Sequence, residues 1–220
     1  MLKFFIDFDG TITTEDVIDK ILERFADPSW RLIEEEWAGG KIGSRECLIR
    51  QMELVSAPPG SFRSLVDAIT IDPHFADFLR CAAARRIPVA IVSDGLTEVI
   101  QRVLQRALGA EPALLEGLPV FANRVRWDAT GPRLVFDREP CAHGCANCKE
   151  AVMRANLTDG ERVLFVGDGL SDRYAAAAAD LVFAKNALLD YCREKGLSHM
   201  AYKDFSDIEK WLEKVGPGPQ

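Results

Sequence analysis

Long apolar runs are missing from this chain, because none reaches the roughly 18 residues that a membrane-spanning helix needs. No signal-peptide pattern precedes the first predicted strand. Positive charge is also scarce, with 27 lysines and arginines against 34 acidic residues and a net charge of −7. This balance disfavours nucleic acid or an anionic membrane surface as the main partner. We therefore expect a cytoplasmic protein that binds neither nucleic acid nor membrane.

The composition is that of an ordinary globular protein. Of the 220 residues, 48% are hydrophobic and 28% are charged, which suits one large domain or a core with a smaller insertion. Three of the six cysteines, Cys47, Cys81 and Cys192, lie in helical patterns and are predicted to be small core residues. The other three cysteines fall within one short segment.

Apolar, strand-like runs alternate with helical patterns along most of the chain. The runs are Leu2–Phe8, Pro88–Ser93, Arg162–Gly167 and Asp180–Ala184. This alternation predicts an α/β fold in which a Rossmann-like parallel sheet carries helices on both faces. Residues 14–72 show helical periodicity without a convincing strand. We predict that they form a small helical cap, inserted into a core of residues 1–13 and 73–220.

A second irregular zone, residues 119–137, is predicted to be a β-hairpin inserted within the core. Its strands would be Val120–Trp127 and Arg133–Asp137, joined by a turn-rich connection. The end of the chain, residues 216–220, is rich in glycine and proline and is expected to fray.

The first strand carries the most informative residues. It ends in Asp7-Phe8-Asp9-Gly10-Thr11, where one residue separates two carboxylates. Side chains alternate along an extended chain, but the pattern breaks at Gly10, so both carboxylates can reach one pocket at the carboxyl edge of the sheet. Carboxylate oxygen is a hard ligand and a competent nucleophile, which suits a divalent cation and a covalent aspartyl-phosphate.

Two further polar segments follow in order. Ser93-Asp94-Gly95 ends an apolar strand, and its hydroxyl and backbone N–H groups could form an anion cradle or could only cap the helix Thr97–Leu108. Lys149 opens the helical pattern Glu150–Leu157 and could neutralise phosphate charge, although most lysines are solvated surface groups.

The last polar segment is Gly167-Asp168-Gly169-Leu170-Ser171-Asp172. Asp168 stands at the end of an apolar strand, where a carboxylate needs a compensating cation, so it could complete a Mg²⁺ site with Asp7. Asp172 could hold a metal-bound water or could cap a helix.

Together these segments resemble the four motifs of the haloacid dehalogenase superfamily of phosphohydrolases. The matching residues are Asp7, Asp9, Thr11, Ser93, Lys149, Gly167, Asp168 and Asp172. The resemblance implies that Asp7 attacks phosphorus, and that Asp9 protonates the leaving alcohol and then activates water. An aspartate at position 9 favours a phosphatase over a dehalogenase, because a halide needs no proton donor to leave.

The resemblance also implies a ligand set. Mg²⁺ would be held by the Asp7 carboxylate, the Asp9 backbone carbonyl and Asp168, with Asp172 acting through a water. The substrate would be a small phosphorylated metabolite. Its phosphate would be bound by Thr11, Ser93, Asp94, Gly95 and Lys149.

The helical insertion resembles the cap of the phosphoserine-phosphatase-like branch of this superfamily. Two segments, Gly40–Cys47 and Cys141–Lys149, look like those of the methionine-salvage phosphatases. That likeness implies 2-hydroxy-3-keto-5-methylthiopentenyl-1-phosphate as the substrate. We expect Asp16 and Trp37 to contact the substrate from the cap, although Trp37 could equally be cap core.

An ungapped comparison of the cap bears on phosphoserine as the alternative substrate. Gln51 stands where phosphoserine phosphatases have the arginine that binds the substrate carboxylate, and Asp16 stands where they have a glutamate. A bidentate arginine contact has no neutral equivalent, so this difference counts against phosphoserine. Arg45 or Arg50 could supply the missing cation.

The three clustered cysteines precede Lys149 directly. Cys141, Cys145 and Cys148 have the close spacing of a zinc knuckle, with His143 as a possible fourth ligand. The alternative is that three reduced thiols pack the loop. In both cases the loop is expected to fix the position of Lys149, so a disulfide there should reduce activity.

Two other functions stay open on the sequence. An aspartyl-phosphate could pass its phosphate to another alcohol, as in a mutase, if the cap excludes water. A non-catalytic protein could use the cap and the cysteine loop to bind a partner, but the complete set of catalytic residues argues against this. The sequence indicates no oligomeric state.

Overall fold

The protein is described by a computed structural model that covers residues 1–58, 60–128 and 131–215. The strands are β1 (Leu2–Ile6), β2 (Val89–Leu96), β3 (Val120–Asp128), β4 (Gly131–Val135), β5 (Arg162–Gly167), β6 (Leu181–Ala184) and β7 (His199–Ala201). They form one seven-stranded sheet in the order β4-β3-β2-β1-β5-β6-β7. Every neighbouring pair is parallel except β3 with β4, which is antiparallel. The predicted α/β fold is confirmed.

Eleven α-helices lie between and after these strands in the described part of the chain. They are α1 (Val17–Phe25), α2 (Trp30–Ala38), α3 (Ser44–Met52), α4 (Ser61–Ala68), α5 (Phe75–Ala84), α6 (Thr97–Leu108), α7 (Pro112–Glu116), α8 (Lys149–Ala155), α9 (Arg173–Ala177), α10 (Asn186–Lys195) and α11 (Phe205–Val215). A 3₁₀-helix at Leu170–Asp172 precedes α9. Within these residues, no helix combines the length and apolar character that a membrane crossing requires.

The central strands are apolar at almost every position because both faces of the sheet are covered. In β1, Phe4 and Ile6 belong to one hydrophobic cluster, whereas Phe5 between them belongs to the other. All three side chains are fully buried. Successive side chains of β1 therefore pack into hydrophobic cores on opposite faces of the sheet. As a result, the start of the chain is buried in the middle of the sheet.

Helices α1 to α4 occupy the segment between β1 and α5. An antiparallel bridge between Thr13 and Ile71 joins the two ends of this segment where it leaves and re-enters the sheet layer. Inside it, Ile21 and Leu22 of α1 and Leu48 of α3 are buried in the larger hydrophobic cluster. Because this bridge lies only a few residues after β1, α1 and α3 lie close to the carboxyl end of β1.

The predicted hairpin is present, but β3 is also a strand of the main sheet, parallel to β2. Strand β4 starts and ends two residues earlier than expected, because its pairing with β3 begins at Gly131 and stops at Val135. Ala129 and Thr130 of the predicted connection, and residues 216–220 of the predicted frayed end, lie outside the described residues. Strand β7 was not predicted, since three residues at a sheet edge leave little apolar signal.

The end of β2 differs from the sequence prediction. The strand continues through Asp94 and Gly95 to Leu96 instead of turning after Ser93, with a shift of register against β3 between Val92 and Leu96. This irregular end directs the polar residues of β2 toward the carboxyl end of β1, which lies beside it.

Candidate active site

A cavity of about 260 Å³ lies between the carboxyl edge of the sheet and helices α1 to α3. Strands β2, β1 and β5 are neighbours in the sheet, so their carboxyl ends meet at the floor of this cavity. The lining residues are Asp7, Asp9, Asp16, Ile18, Asp19, Glu34, Trp37, Ser44, Cys47, Leu48, Gln51, Asp94, Gly95, Ala146, Lys149, Asp168, Gly169, Leu170 and Ser171. The volume suits a small metabolite.

Lys149 is buried at the floor of the cavity between two carboxylates. Its Nζ lies 2.7 Å from Asp7 Oδ1 and 2.6 Å from Asp172 Oδ1. All three side chains are buried, with at most 6% of each exposed. Lys149 is the first residue of α8, so its position depends on the loop that leads into this helix.

Carboxylates outnumber cations around Lys149. Desolvation alone would lower the pKa of this buried ammonium, but Asp172, Asp7 and Asp94 outweigh it, and the pKa of Lys149 lies well above its usual value. Desolvation and the repulsion from Asp172 raise the pKa of Asp7 well above its usual value, although Lys149 partly offsets them. The site thus holds one ammonium among several carboxylates, so binding a further cation there would be electrostatically favourable.

Three of these carboxylates form a group that could bind a metal ion. Oxygen atoms of Asp7, Asp168 and Asp172 all lie within 4.8 Å of one another. A Cβ added at Gly10, whose φ is +69°, would lie 2.6 Å from Asp168 Oδ2, so only glycine leaves room for this carboxylate. Clustered carboxylate oxygens in a net negative pocket are the ligands that hard divalent cations prefer, so the residues present fit Mg²⁺.

Asp9 is held at the cavity by two donors. Ser93 Oγ donates to its Oδ2 at 3.0 Å, and the backbone N–H of Val17 donates to its Oδ1 at 3.3 Å. Desolvation, followed by the repulsion from Asp16, raises the pKa of Asp9 to about 7 despite these bonds. A carboxyl group with this pKa can both give and take a proton near neutral pH.

The two hydroxyls predicted to bind phosphate point elsewhere in the structure. Thr11 Oγ1 donates to Asp168 Oδ1 at 3.1 Å, and Ser93 Oγ donates to Asp9, so the single proton of each hydroxyl is already used. Both side chains are fully buried and neither lines the cavity. In this structure they orient the carboxylates, and their role in binding phosphate stays a prediction.

The side chain of Asp94 lies between the cap and the core. Its Oδ2 accepts from Ser44 Oγ of the cap at 2.7 Å, and its Oδ1 accepts from the N–H of Asn147 at 3.2 Å. The carboxylate thus connects the cap to the core, and phosphate binding at Asp94, which lines the cavity, stays a prediction. Gly95 lies beside Asp9, where a Cβ would stand 2.6 Å from Asp9 Oδ2.

The cap side of the cavity is acidic. Asp16, Trp37 and Gln51 line it, and so do the carboxylates of Asp19 and Glu34, which the sequence analysis did not single out. Asp16 is open to the cavity, yet desolvation by the cavity walls and the neighbouring Asp19 raise its pKa to about 7. Among the described residues, Lys149 is the one cationic side chain that lines the cavity.

The arginines that could have replaced the missing substrate-binding cation are engaged elsewhere. Arg45 donates through Nε to the carbonyl of Cys145 at 3.4 Å and stacks on Phe136 at 4.2 Å, outside the cavity lining. Arg50 pairs with Glu36 at 2.6 Å. The Arg45 guanidinium binds the loop before α8, and its contact to a substrate stays a prediction.

Gln51 has a partner within the cap. Its Nε2 donates to Glu34 Oε2 at 2.8 Å, and only 2% of Gln51 is exposed. At this position the cap side of the cavity therefore presents hydrogen-bond acceptors, such as the Glu34 carboxylate, and not a cation.

The cysteine loop lies beside this site. The sulfur atoms of Cys141, Cys145 and Cys148 lie within 4.8 Å of one another. His143, the predicted fourth ligand, stacks instead on Tyr174 at 3.8 Å and does not belong to the group.

Sequence reasoning missed several polar residues of the site. They are Asp19, Glu34, Ser44, Asn147, Ser171 and Asn186. Ser171 lies 3.4 Å from Lys149 Nζ and belongs to the last polar segment, so its place in the 3₁₀-helix could have indicated it. Asn147 donates to the carbonyls of Ser93 and Phe121, contacts between distant residues for which the sequence carries no signal.

Comparison with known proteins agrees with this geometry. A family model described as haloacid dehalogenase-like hydrolase matches residues 4–177. The 2-hydroxy-3-keto-5-methylthiopentenyl-1-phosphate phosphatase of Brevibacillus brevis is 30% identical over 224 residues, covering 97% of this chain and 96% of the relative. The protein of the same name from Geobacillus kaustophilus is 30% identical over 217 residues, with coverage of 97% and 96%.

The fold is also shared with solved structures. A phosphoserine phosphatase bearing an analogue of the phospho-aspartyl intermediate has a TM-score of 0.70 and 22% identity, covering 96% of this chain and 97% of that one. Since the family model spans most of the chain, and full-length relatives and a shared fold agree with it, the chain belongs to the haloacid dehalogenase-like hydrolase family.

Proposed function

We propose that this HAD-family phosphatase is a Mg²⁺-dependent phosphomonoesterase that acts through an aspartyl-phosphate on Asp7. The observation that carries the proposal is the buried Asp7–Lys149–Asp172 arrangement at 2.7 and 2.6 Å, beside an Asp9 whose pKa is about 7. It combines a fixed nucleophile, a cation for the transferring group and a proton donor at one cavity floor.

In the first step, a carboxylate oxygen of Asp7 forms a bond to phosphorus while the bond from phosphorus to the leaving oxygen breaks. Lys149 holds one Asp7 oxygen and neutralises charge that builds up around the phosphoryl group. Asp9 donates its proton to the leaving oxygen, which departs as an alcohol or enol. With a pKa of about 7, Asp9 holds that proton in a large fraction of molecules at neutral pH.

In the second step, the Asp9 carboxylate takes a proton from a water molecule that attacks phosphorus. The bond between phosphorus and Asp7 breaks, which releases inorganic phosphate and restores the Asp7 carboxylate. Ser93 and Val17 hold Asp9 in one orientation through both proton transfers.

Mg²⁺ would be held by Asp7 and Asp168, with Asp172 through a water, and would neutralise phosphate charge during transfer. Thr11 and Asn186, which donate to the two oxygens of Asp168 at 3.1 and 3.3 Å, would orient that ligand.

We further propose 2-hydroxy-3-keto-5-methylthiopentenyl-1-phosphate as the substrate. The names of the full-length relatives support it, and so does the cap side of the cavity. Ile18, Leu48 and Trp37 offer apolar surface to a methylthio chain, and Glu34 offers an acceptor to a substrate hydroxyl. Phosphoserine fits less well, since its carboxylate would meet acidic side chains.

The test is direct detection of the covalent step. Wild-type protein mixed with the enol phosphate and Mg²⁺ is quenched in acid and digested, and the peptide that contains Asp7 is examined for an added phosphoryl group. We expect phosphate on Asp7 and Mg²⁺-dependent release of inorganic phosphate. Turnover without modification of Asp7, or turnover that is unchanged when Mg²⁺ is withheld, would overturn the mechanism.

A further inference from the structure

We propose that Cys141, Cys145 and Cys148 form a second metal site, a three-thiolate site for Zn²⁺ that fixes Lys149 and the cap. The site lies outside the cavity chemistry described above, and its occupancy can be measured without any activity. The argument rests on the sulfur geometry, on the surroundings of the sulfurs and on what the loop connects.

The sulfur geometry suits one soft ion. Three Sγ atoms from one eight-residue segment converge to within 4.8 Å of one another, and none of the six cysteines is in a disulfide. Zn²⁺ bound to thiolates at about 2.3 Å brings its sulfur ligands to a comparable separation. No histidine or carboxylate joins the group within the part of the chain that is described, so the fourth position would be taken by water.

The surroundings of Cys141 favour a thiolate. The backbone N–H of Cys145 donates to Cys141 Sγ at 3.4 Å, and a donor of this kind stabilises negative charge on sulfur. A Zn²⁺ ion with three thiolates carries one net negative charge. The Arg45 guanidinium, which donates to the carbonyl of Cys145, lies next to the loop and offsets this charge.

The loop connects three parts of the molecule. Towards the cap, its Gly144 carbonyl accepts from the N–H of Arg45 at 2.9 Å, and its Ala146 N–H donates to Ser44 Oγ at 2.9 Å. Towards the core, Asn147 donates to the carbonyl of Ser93 at 3.0 Å. Lys149 follows Cys148 directly, so the loop joins the start of α3 to this lysine.

The backbones of Gly43 in the cap and Gly144 in the loop are closely packed, so this connection depends on the loop's shape. A Cβ added at Gly43 would stand 2.4 Å from the Gly144 carbonyl, so the two backbones are in direct contact. An eight-residue loop without secondary structure would otherwise sample many conformations. A metal bound by its first, fifth and last residues restricts it to the one that holds both Lys149 and α3.

Metal content is the first test. Protein expressed with added zinc and dialysed is analysed for metal per chain, and Co²⁺ is substituted to reveal thiolate-to-cobalt charge-transfer absorption. We expect about one Zn²⁺ per chain and the cobalt bands of a thiolate site. Protein that retains no zinc and shows no cobalt–thiolate absorption, or that has a disulfide among these cysteines, contradicts the proposal.

Variants assign the site. Cys148 is the N-cap of α8, and serine is a preferred N-cap residue, so Cys148→Ser removes the thiolate and keeps the helix start. Cys145→Ser is a second variant, and Cys81→Ser in α5, half-buried and outside the loop, is the matched control. We expect both loop variants to lose the bound zinc and Cys81→Ser to keep it. Equal zinc in all three variants would overturn the assignment.

Activity then tests the positioning role. Zinc is removed by a chelator, Mg²⁺ is restored in excess, and hydrolysis of p-nitrophenyl phosphate is measured before and after Zn²⁺ is added back. We expect kcat to fall about 10-fold, the equivalent of 1.4 kcal/mol, and to recover with Zn²⁺. If the protein binds one zinc per chain but kcat is the same with and without it, the positioning role is wrong. If the protein binds zinc but hydrolyses no substrate, the proposed phosphatase function is wrong and the zinc site stands.

Discussion

The core side and the cap side of the cavity are both acidic, but their acids are held in opposite ways. On the core side, Asp7 and Asp172 are buried and share the ammonium of Lys149. On the cap side, Asp16 and Asp19 are solvent-accessible and line the cavity, and within the described part of the chain neither forms a salt bridge. The core side is therefore fixed for one reaction, whereas the cap side is free to differ between substrates.

This difference suggests that the core side carries out phosphoryl transfer and that the cap side determines which substrate is accepted. Removing a core-side group should abolish turnover of every substrate, because each group holds another in place. Changing a cap-side group should alter the ratio between substrates and leave the transfer step intact.

Asp7→Asn should lower kcat about 10⁵-fold on all substrates, since it removes the nucleophile of the proposed covalent step. The measurement is phosphate release under saturating Mg²⁺. Asp19→Asn is the matched control, the same change on the cap side, and should stay within about 10-fold of wild type. Comparable losses in both variants would break the distinction between the two sides.

Lys149→Met should lower kcat about 10³-fold, because it removes the ammonium that pairs with Asp7 and offsets phosphate charge. It should also destabilise the fold by about 3–5 kcal/mol, since buried carboxylates lose their partner. Urea titration and steady-state kinetics check both effects. Arg154→Met, on the exposed face of the same helix, should leave both values near wild type.

Asp9→Asn should lower kcat about 10²–10³-fold for substrates whose leaving group needs a proton. A p-nitrophenolate leaving group needs little protonation, so its loss should be smaller. If the losses on the two kinds of substrate were equal, Asp9 would have another role.

The same Asp9→Asn variant should be more stable than wild type at alkaline pH in metal-free protein. The native pKa of Asp9, about 7, lies above the unfolded value of 3.8, so native Asp9 keeps its proton longer. Wild-type stability therefore falls as pH rises from about 4 to about 7. We expect a Tm gain of roughly 3–6 °C at pH 8 that shrinks towards pH 4, measured by thermal unfolding.

Gln51→Arg tests whether the cap side determines the substrate preference. It places a cation beside Glu34, where the cavity has none, and should raise kcat/KM for phosphoserine relative to the enol phosphate by about 10-fold. The maximum rate on p-nitrophenyl phosphate should change little. A uniform loss on all substrates would show that Gln51 supports the fold and not the selection.

The sequence was informative where a residue's place follows from its own strand. Asp7 and Asp168 follow apolar strands of a parallel sheet, so their meeting at one edge could be predicted. The orientation of Thr11 and Ser93 could not, because it depends on carboxylates brought in from other strands. Arg45 likewise turns to a loop 100 residues away in sequence.

The most direct test of the account is the ratio of kcat/KM for 2-hydroxy-3-keto-5-methylthiopentenyl-1-phosphate to that for phosphoserine, measured on wild-type protein with saturating Mg²⁺. The account predicts a ratio of at least about 10², because the acidic cap side disfavours a substrate carboxylate. A ratio near one, or a preference for phosphoserine, would contradict the conclusion that the cap side selects against it.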